Sequence, residues 1–284
     1  MENGGPSRTA LITAYARAYH QVEDRPKIFD DPLAARLLGY AQDELPSLGT
    51  VGTERLSGAV TDRPRRLFFA SRTRFAEDAV TAAVAAGVRQ VVVLGAGLDT
   101  FAYRNPHPDL HVFEVDHPAT QAWKRERLAV AGIDTPDTLT FVPVDFETQA
   151  LAPELDAAGF SRTLPATFVW LGVVYYLTPE AAHSTLAYIA GQAQPVEVVF
   201  DYLRAATTDA ERAHQRLRAE RLAGVGEPVF SYFTPDGIAA QLRSLGFTGV
   251  EDHPAADLVA GYLGEYAGEP SPALGSLRML RASR

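Results

Sequence analysis

Two glycines, two carboxylates, one aromatic ring and one guanidinium carry most of the chemistry that this 284-residue sequence offers. Gly95 and Gly97 lie in "VVVLGAGLDTFAYR", residues 91–104, where an apolar run stops at two glycines separated by Ala96. Glycine lets a chain turn sharply and lets a neighbour touch the backbone. Asp116 stands 21 residues beyond Gly95. An acid at that distance can accept hydrogen bonds from a ribose diol and would reject a 2′-phosphate; Asp also closes strands for turn reasons alone. Asp145 and Phe146 form an acid–aromatic pair that suits an adenine, or else an Asx turn beside an ordinary core ring. Arg72, in "SRTRF", has the fork that holds a free carboxylate bidentately, although an arginine on a helix is commonly solvated.

A dinucleotide fingerprint would place a third glycine three residues after Gly97. Thr100 stands there instead, and Asp99 lies near the following helix start, where its charge would repel phosphates. The loop therefore reads as a nucleoside site without phosphates.

The elements that position these residues are strands at 90–95, 110–116, 139–145, 166–172 and 196–202, alternating with helices such as 118–131 and 178–192. Two further strands are expected at 248–252 and 277–281. Alternation of this kind implies α/β architecture with a mostly parallel, doubly wound sheet of seven strands, whose ligands bind at the carboxyl ends. The helix before the first strand spaces Phe68, Phe75, Ala79, Ala82 and Ala86 at helical intervals and ends at Gly87. The first 66 residues read as an irregular helical lid, 67–284 as the core, and about 204–234 as a helical insertion. Asp31 and Pro32 read as a helix start. The adjacent Asp30 and Asp31 lack a third ligand, so a metal site is not expected.

The composition narrows the function. There is no cysteine, which excludes disulfides and thiolate chemistry. A net charge of −9 disfavours nucleic acid. The basic runs "DRPRR" (62–66) and "HQRLRAERL" (214–222) read as solvated helix faces. No apolar run reaches membrane-spanning length and no signal peptide is evident, so a cytoplasmic protein without a membrane partner is expected.

"VVVLGAGLDTFAYR", "FEVDHPATQAWKRERL", "FVPVDFE" and "YYLTPE", in that order, resemble the leucine carboxyl methyltransferase family, and most closely its bacterial branch of S-adenosylmethionine-dependent methyltransferases. "KIFDDPLAARLL" and "ASRTRFAEDAV" fit the same branch, so the resemblance runs from about residue 8 to 203. It implies a class I methyltransferase, Rossmann-like fold with an N-terminal helical lid, and S-adenosylmethionine as cofactor. By resemblance, Gly95, Ala96 and Gly97 face the methionine part of the cofactor, and Asp116 with His117 the ribose. Asp145 and Phe146 match the adenine-side pair, and Arg72 the arginine that holds the cofactor carboxylate. One position departs. Protein-modifying eukaryotic members carry a glutamate after the fourth strand, where this sequence has Leu171 and then Gly172. A backbone carbonyl is expected to take its place, and the phosphatase-directed activity of those relatives is not.

The expected reaction is O-methylation of a carboxylate or phenolic hydroxyl on a small metabolite. No catalytic base can be named. His20 and His117 are the two histidines with a chance of facing the pocket; Tyr15, Arg17, Tyr19 and Tyr176 are weaker pocket candidates. The competing readings are a protein that binds S-adenosylmethionine without methyl transfer, as a sensor or a cyclase-like partner, and an NAD-dependent oxidoreductase. The acceptor's identity and the oligomeric state are not legible.

Overall fold

The computed structural model describes residues 7–45, 62–146, 148–224, 226–269, 271 and 274–284. Seven strands form one sheet: β1 (Gln90–Leu94), β2 (His111–Asp116), β3 (Leu139–Pro143), β4 (Ala166–Trp170), β5 (Val196–Leu203), β6 (Gly249–Pro254) and β7 (Leu277–Ser283). Their order is β3-β2-β1-β4-β5-β7-β6. The first five are parallel, and β7 runs antiparallel between β5 and β6. Strand order reverses between β1 and β4, which opens a crevice at their carboxyl ends.

Central strands of such a sheet are buried on both faces and read as unbroken apolar runs. In β1, Val91 and Val93 enter one core while Val92 and Leu94 enter the other. The first core is covered by α3 (Arg63–Ala85) and α10 (Ala255–Leu263), the second by α7 (Pro179–Ala190) and α9 (Pro235–Ser244). A third cluster joins α1 (Arg8–Glu23) and α2 (Leu33–Leu38) to Leu98 and to Leu128 of α5 (Pro118–Val130). Helix starts follow local chemistry: the Thr178 and Thr234 side chains cap α7 and α9, each with proline at the next position. The remaining helices are α4 (Phe101–Arg104), α6 (Leu151–Ala157) and α8 (Asp209–Ala223), the last with no buried residue.

Two readings of the α3 region need correction. Its buried stripe is Phe68, Arg72, Ala76, Ala79, Val80 and Ala83, whereas Ala82 and Ala86 are exposed. Counting only apolar residues shifted the face, because Arg72 and Thr73 belong to the inner one. "DRPRR" is not a solvated face either. Asp62 caps α3, and Arg66 is buried in a two-pronged ion pair with Asp24 of 2.8 and 2.9 Å. Asp31 caps the start of α2 as expected, its carboxylate accepting the Leu33 and Ala34 amides, although the helix itself starts at Leu33 rather than at Pro32. Part of the expected lid, 1–6 and 46–61, lies outside the described residues. Among the described residues, no helix is long and apolar enough to cross a membrane.

Candidate functional site

A cavity of about 590 Å³ opens at the carboxyl ends of β1, β2 and β4. All nine residues of the expected cofactor set line it: Arg72, Gly95, Ala96, Gly97, Asp116, His117, Asp145, Phe146 and Leu171.

Gly95 and Gly97 both adopt positive φ, 63° and 49°. The close neighbours at their α-carbons come from the chain itself. A Cβ at Gly95 would collide with the Val173 side chain, and one at Gly97 would lie 3.1 Å from Ala10 of α1. Two glycines thus let the loops after β1 and β4 and the first helix meet over the crevice. Thr100 donates to Asp31 at 2.8 Å, and Asp31 also pairs with Arg17 at 3.0 Å. A single buried carboxylate therefore ties the glycine loop to α1 and α2. Asp99 accepts the Phe101 amide and so caps α4.

Asp116 ends β2 with one oxygen accepting the Gly97 amide and the other the His117 amide. Burial lifts its carboxyl above the ordinary value, and those two N–H groups act against the rise. A carboxylate has about four acceptor positions, so each oxygen keeps one for a further donor. His117 accepts the Ala119 amide on Nδ1, capping α5. Asp145 follows β3 and accepts the Thr148 hydroxyl at 3.1 Å, in keeping with a turn. Phe146 is 44% exposed beside it, which rules out the reading as an ordinary core ring.

Arg72 reaches the crevice from α3, where its guanidinium donates to Asp201 of β5 at 2.7 Å. Asp201 has no exposed surface and also accepts the Gly172 amide. Burial alone would lower the Arg72 guanidinium, but Asp201 and Tyr175 together more than offset it. The Arg72 Nε–H is buried without a hydrogen-bond partner. Asp201 escaped the sequence reading, and its signal is a charged residue inside a strand buried along its whole length.

The rest of the wall comes from α1, from the 3-10 turn Val174–Tyr176, and from the segment after α8. Arg17 and Tyr176 line the cavity; Tyr15, Tyr19 and His20 do not. His20 is structural, accepting the Ile28 amide on Nε2 at 2.9 Å, which leaves Nδ1 to donate to Asp24. Glu227 and Thr9 were missed. Glu227 accepts the Thr9 amide at 2.9 Å and the Thr9 hydroxyl, across 218 residues of sequence that no local pattern spans. Among the described residues, no group of His, Asp and Glu could hold a metal ion.

The profile of the leucine carboxyl methyltransferase family matches residues 10–190. A Bacillus subtilis protein named "Putative S-adenosyl-L-methionine-dependent methyltransferase YktD" is 34% identical over 279 residues, covering 90% of this chain and 91% of its own. A similarly named protein of Parafrankia is 37% identical over 195 residues, 68% of this chain and 61% of its own. Among solved structures, a "putative methyltransferase" from Thermobifida fusca aligns with a TM-score of 0.58 at 17% identity, covering 100% of this chain and 96% of its own. A duf574 family protein from Streptomyces avermitilis gives 0.56 at 16%, covering 98% of each chain. At such identities these neighbours speak for the fold, which is the class I Rossmann-like one. The match to the family profile and the similarity along nearly the whole Bacillus subtilis protein lead to one conclusion: this chain belongs to the leucine carboxyl methyltransferase family.

Proposed function

We propose that this protein is an S-adenosylmethionine-dependent methyltransferase that transfers the methyl group to a carboxylate or hydroxyl oxygen of a small molecule. The observation that carries the reading is the convergence of all nine expected cofactor residues on one cavity. Its volume falls in the range of small-molecule sites, roughly 300–1,000 Å³. The residues suit the cofactor. Asp116 retains two acceptor positions for a ribose diol, and Phe146 offers an exposed ring for the adenine. The unpartnered Nε–H of Arg72 is a donor for the methionine carboxylate. When bound, the cofactor supplies an electrophilic methyl on a sulfonium. The chain's own task is to align the acceptor oxygen with that methyl and exclude water, which is catalysis by proximity and orientation.

An NAD-dependent oxidoreductase fits less well. The antiparallel β7 interrupts the all-parallel dinucleotide order, and Thr100 is tied to Asp31 where a third glycine would stand. The four-residue α4, capped by Asp99, gives a pyrophosphate no helix terminus to rest on. Isothermal titration with S-adenosylmethionine, S-adenosylhomocysteine and NAD tests the reading. Both sulfur nucleosides should bind and NAD should not. Asp116→Ala should weaken binding by about 10- to 100-fold, the worth of charge-assisted hydrogen bonds. NAD binding alone would sink the assignment. Accumulation of S-adenosylhomocysteine during turnover separates methyl transfer from mere binding.

A further inference from the structure

The sector of the cavity not claimed by the cofactor set is walled by Thr9 of α1, Tyr176 after β4 and Glu227 after α8. Their hydrogen bonds have one consistent direction. An ionised carboxylate has no hydrogen to give, so the Thr9 hydroxyl donates to Glu227. With its single hydrogen used there, Thr9 must accept in its 2.8 Å contact with Tyr176, and the phenol donates. Tyr176 and Glu227 therefore present lone pairs, and no hydrogens, toward the cavity.

The charge of Arg218 on α8 reaches Tyr176, but Arg218 is not among the residues that line the cavity, and the cations that do line it are neutralised. Among the described lining residues these are Arg17 and Arg72, and each is paired with a buried carboxylate, Asp31 and Asp201. Asp99, Asp116, Asp145 and Glu227 line the same cavity. The nearby Ser7 hydroxyl accepts the Ala10 amide and keeps one hydrogen to give. A carboxylate acceptor would face lone pairs and net negative charge; a neutral hydroxyl would find acceptors for its hydrogen.

Resting on the methyltransferase reading above, we propose that the methyl acceptor carries a neutral phenolic or enolic hydroxyl, held by Tyr176, and that its proton is passed through Tyr176 and Thr9 to Glu227. The acceptor oxygen's lone pair forms the bond to the methyl carbon while the carbon–sulfur bond breaks, its electron pair remaining on sulfur. The acceptor's proton moves to Tyr176, that of Tyr176 to Thr9, and that of Thr9 to Glu227. Sulfonium, carboxylate and alcohol become thioether, carboxylic acid and methyl ether, with charge conserved. Burial, aided by the charge of Glu227, pushes the Tyr176 phenol up to about 12, so it keeps its hydrogen and can relay one.

The test follows S-adenosylhomocysteine formation with 2-naphthol and catechol, 4-nitrophenol, and the carboxylates 2-naphthoate and benzoate. At mildly alkaline pH the first two are neutral and 4-nitrophenol is largely ionised. Phenols should outpace carboxylates by about tenfold or more. Glu227→Gln should slow 2-naphthol about 100-fold, the usual worth of a positioned base, and leave 4-nitrophenol within about threefold. Tyr176→Phe should give the same split, which covers the case of an unstable Glu227 variant. Preference for carboxylates, or no phenol consumed by a protein that binds S-adenosylhomocysteine, overturns the proposal. So does an equal loss on neutral and ionised phenols, which would mark Glu227 as merely structural. A wild-type protein that fails to bind S-adenosylhomocysteine overturns the methyltransferase reading, and this proposal falls with it.

Discussion

Asp201 illustrates how much one side chain can hold at the residue scale. It accepts from Arg72 and from the Gly172 amide, so it joins α3 to the loop after β4 from a fully buried position on β5. Replacing it with asparagine leaves the Arg72 charge buried without its counter-ion. Breaking a buried pair from one side costs about 3–5 kcal/mol. Asp201→Asn should lose about that much in urea unfolding and should also weaken S-adenosylhomocysteine binding; an unchanged midpoint would show that the pair adds nothing to stability. Asp116 and Asp145 were legible in the sequence because each ends an apolar run, where a side chain naturally reaches a crevice. Asp201 sits inside such a run, and its partner is 129 residues away. Its role became visible only with the tertiary structure.

Elements were more legible than their faces. All seven strands fall where alternating apolar runs place them, and Thr–Pro pairs mark the starts of α7 and α9. The ends of β1, β3 and β4 were overread by one or two residues, because the chain leaves the ladder at the ligand-facing loops, whereas β5, β6 and β7 run one or two residues further than expected. The inner face of α3 was the least legible. Its stripe mixes Arg66, Ser71, Arg72 and Thr73 with apolar residues, since the helix borders the crevice as well as the core. A paired substitution tests the corrected face. Ala83→Glu, 9% exposed in the wild type, should cost about 2 kcal/mol or more through a buried charge, whereas the exposed Ala82→Glu should stay within about 0.5 kcal/mol. Thermal unfolding of the two variants distinguishes the faces, and equal losses would restore the original stripe.

At the scale of the whole molecule, buried carboxylates set how stability varies with pH. Glu114 pairs with Lys124 at 2.7 Å, both side chains 1% exposed, yet burial outweighs the lysine and lifts its carboxyl to about 7 from 4.5. Between those values the folded chain holds a proton that the unfolded chain has lost. This contribution to stability is therefore present below 4.5 and falls as pH rises to about 7. Asp24 acts in the opposite sense: burial raises its carboxyl, but hydrogen bonds from Arg66 and His20 prevail and hold it at about 2 against 3.8. Its contribution is present above 3.8 and is lost as pH falls toward 2. Glu114→Gln should flatten the decline of urea-unfolding stability toward neutrality and leave the acid limb in place. A slope unchanged in that variant would assign the decline to other groups.

The placement of β7 bears on how a nascent chain acquires its site. During synthesis β6 emerges before β7, but among the described residues its one partner in the sheet is β7. At about 5–20 residues per second, the interval between the two strands lasts a second or more. Throughout it the free edge of β5 stays open, including Asp201, which is later opposed by Met279. The carboxylate that steadies Arg72 is thus enclosed among the last, so the capacity to bind should arrive late on the ribosome, after the parallel half of the sheet has already formed.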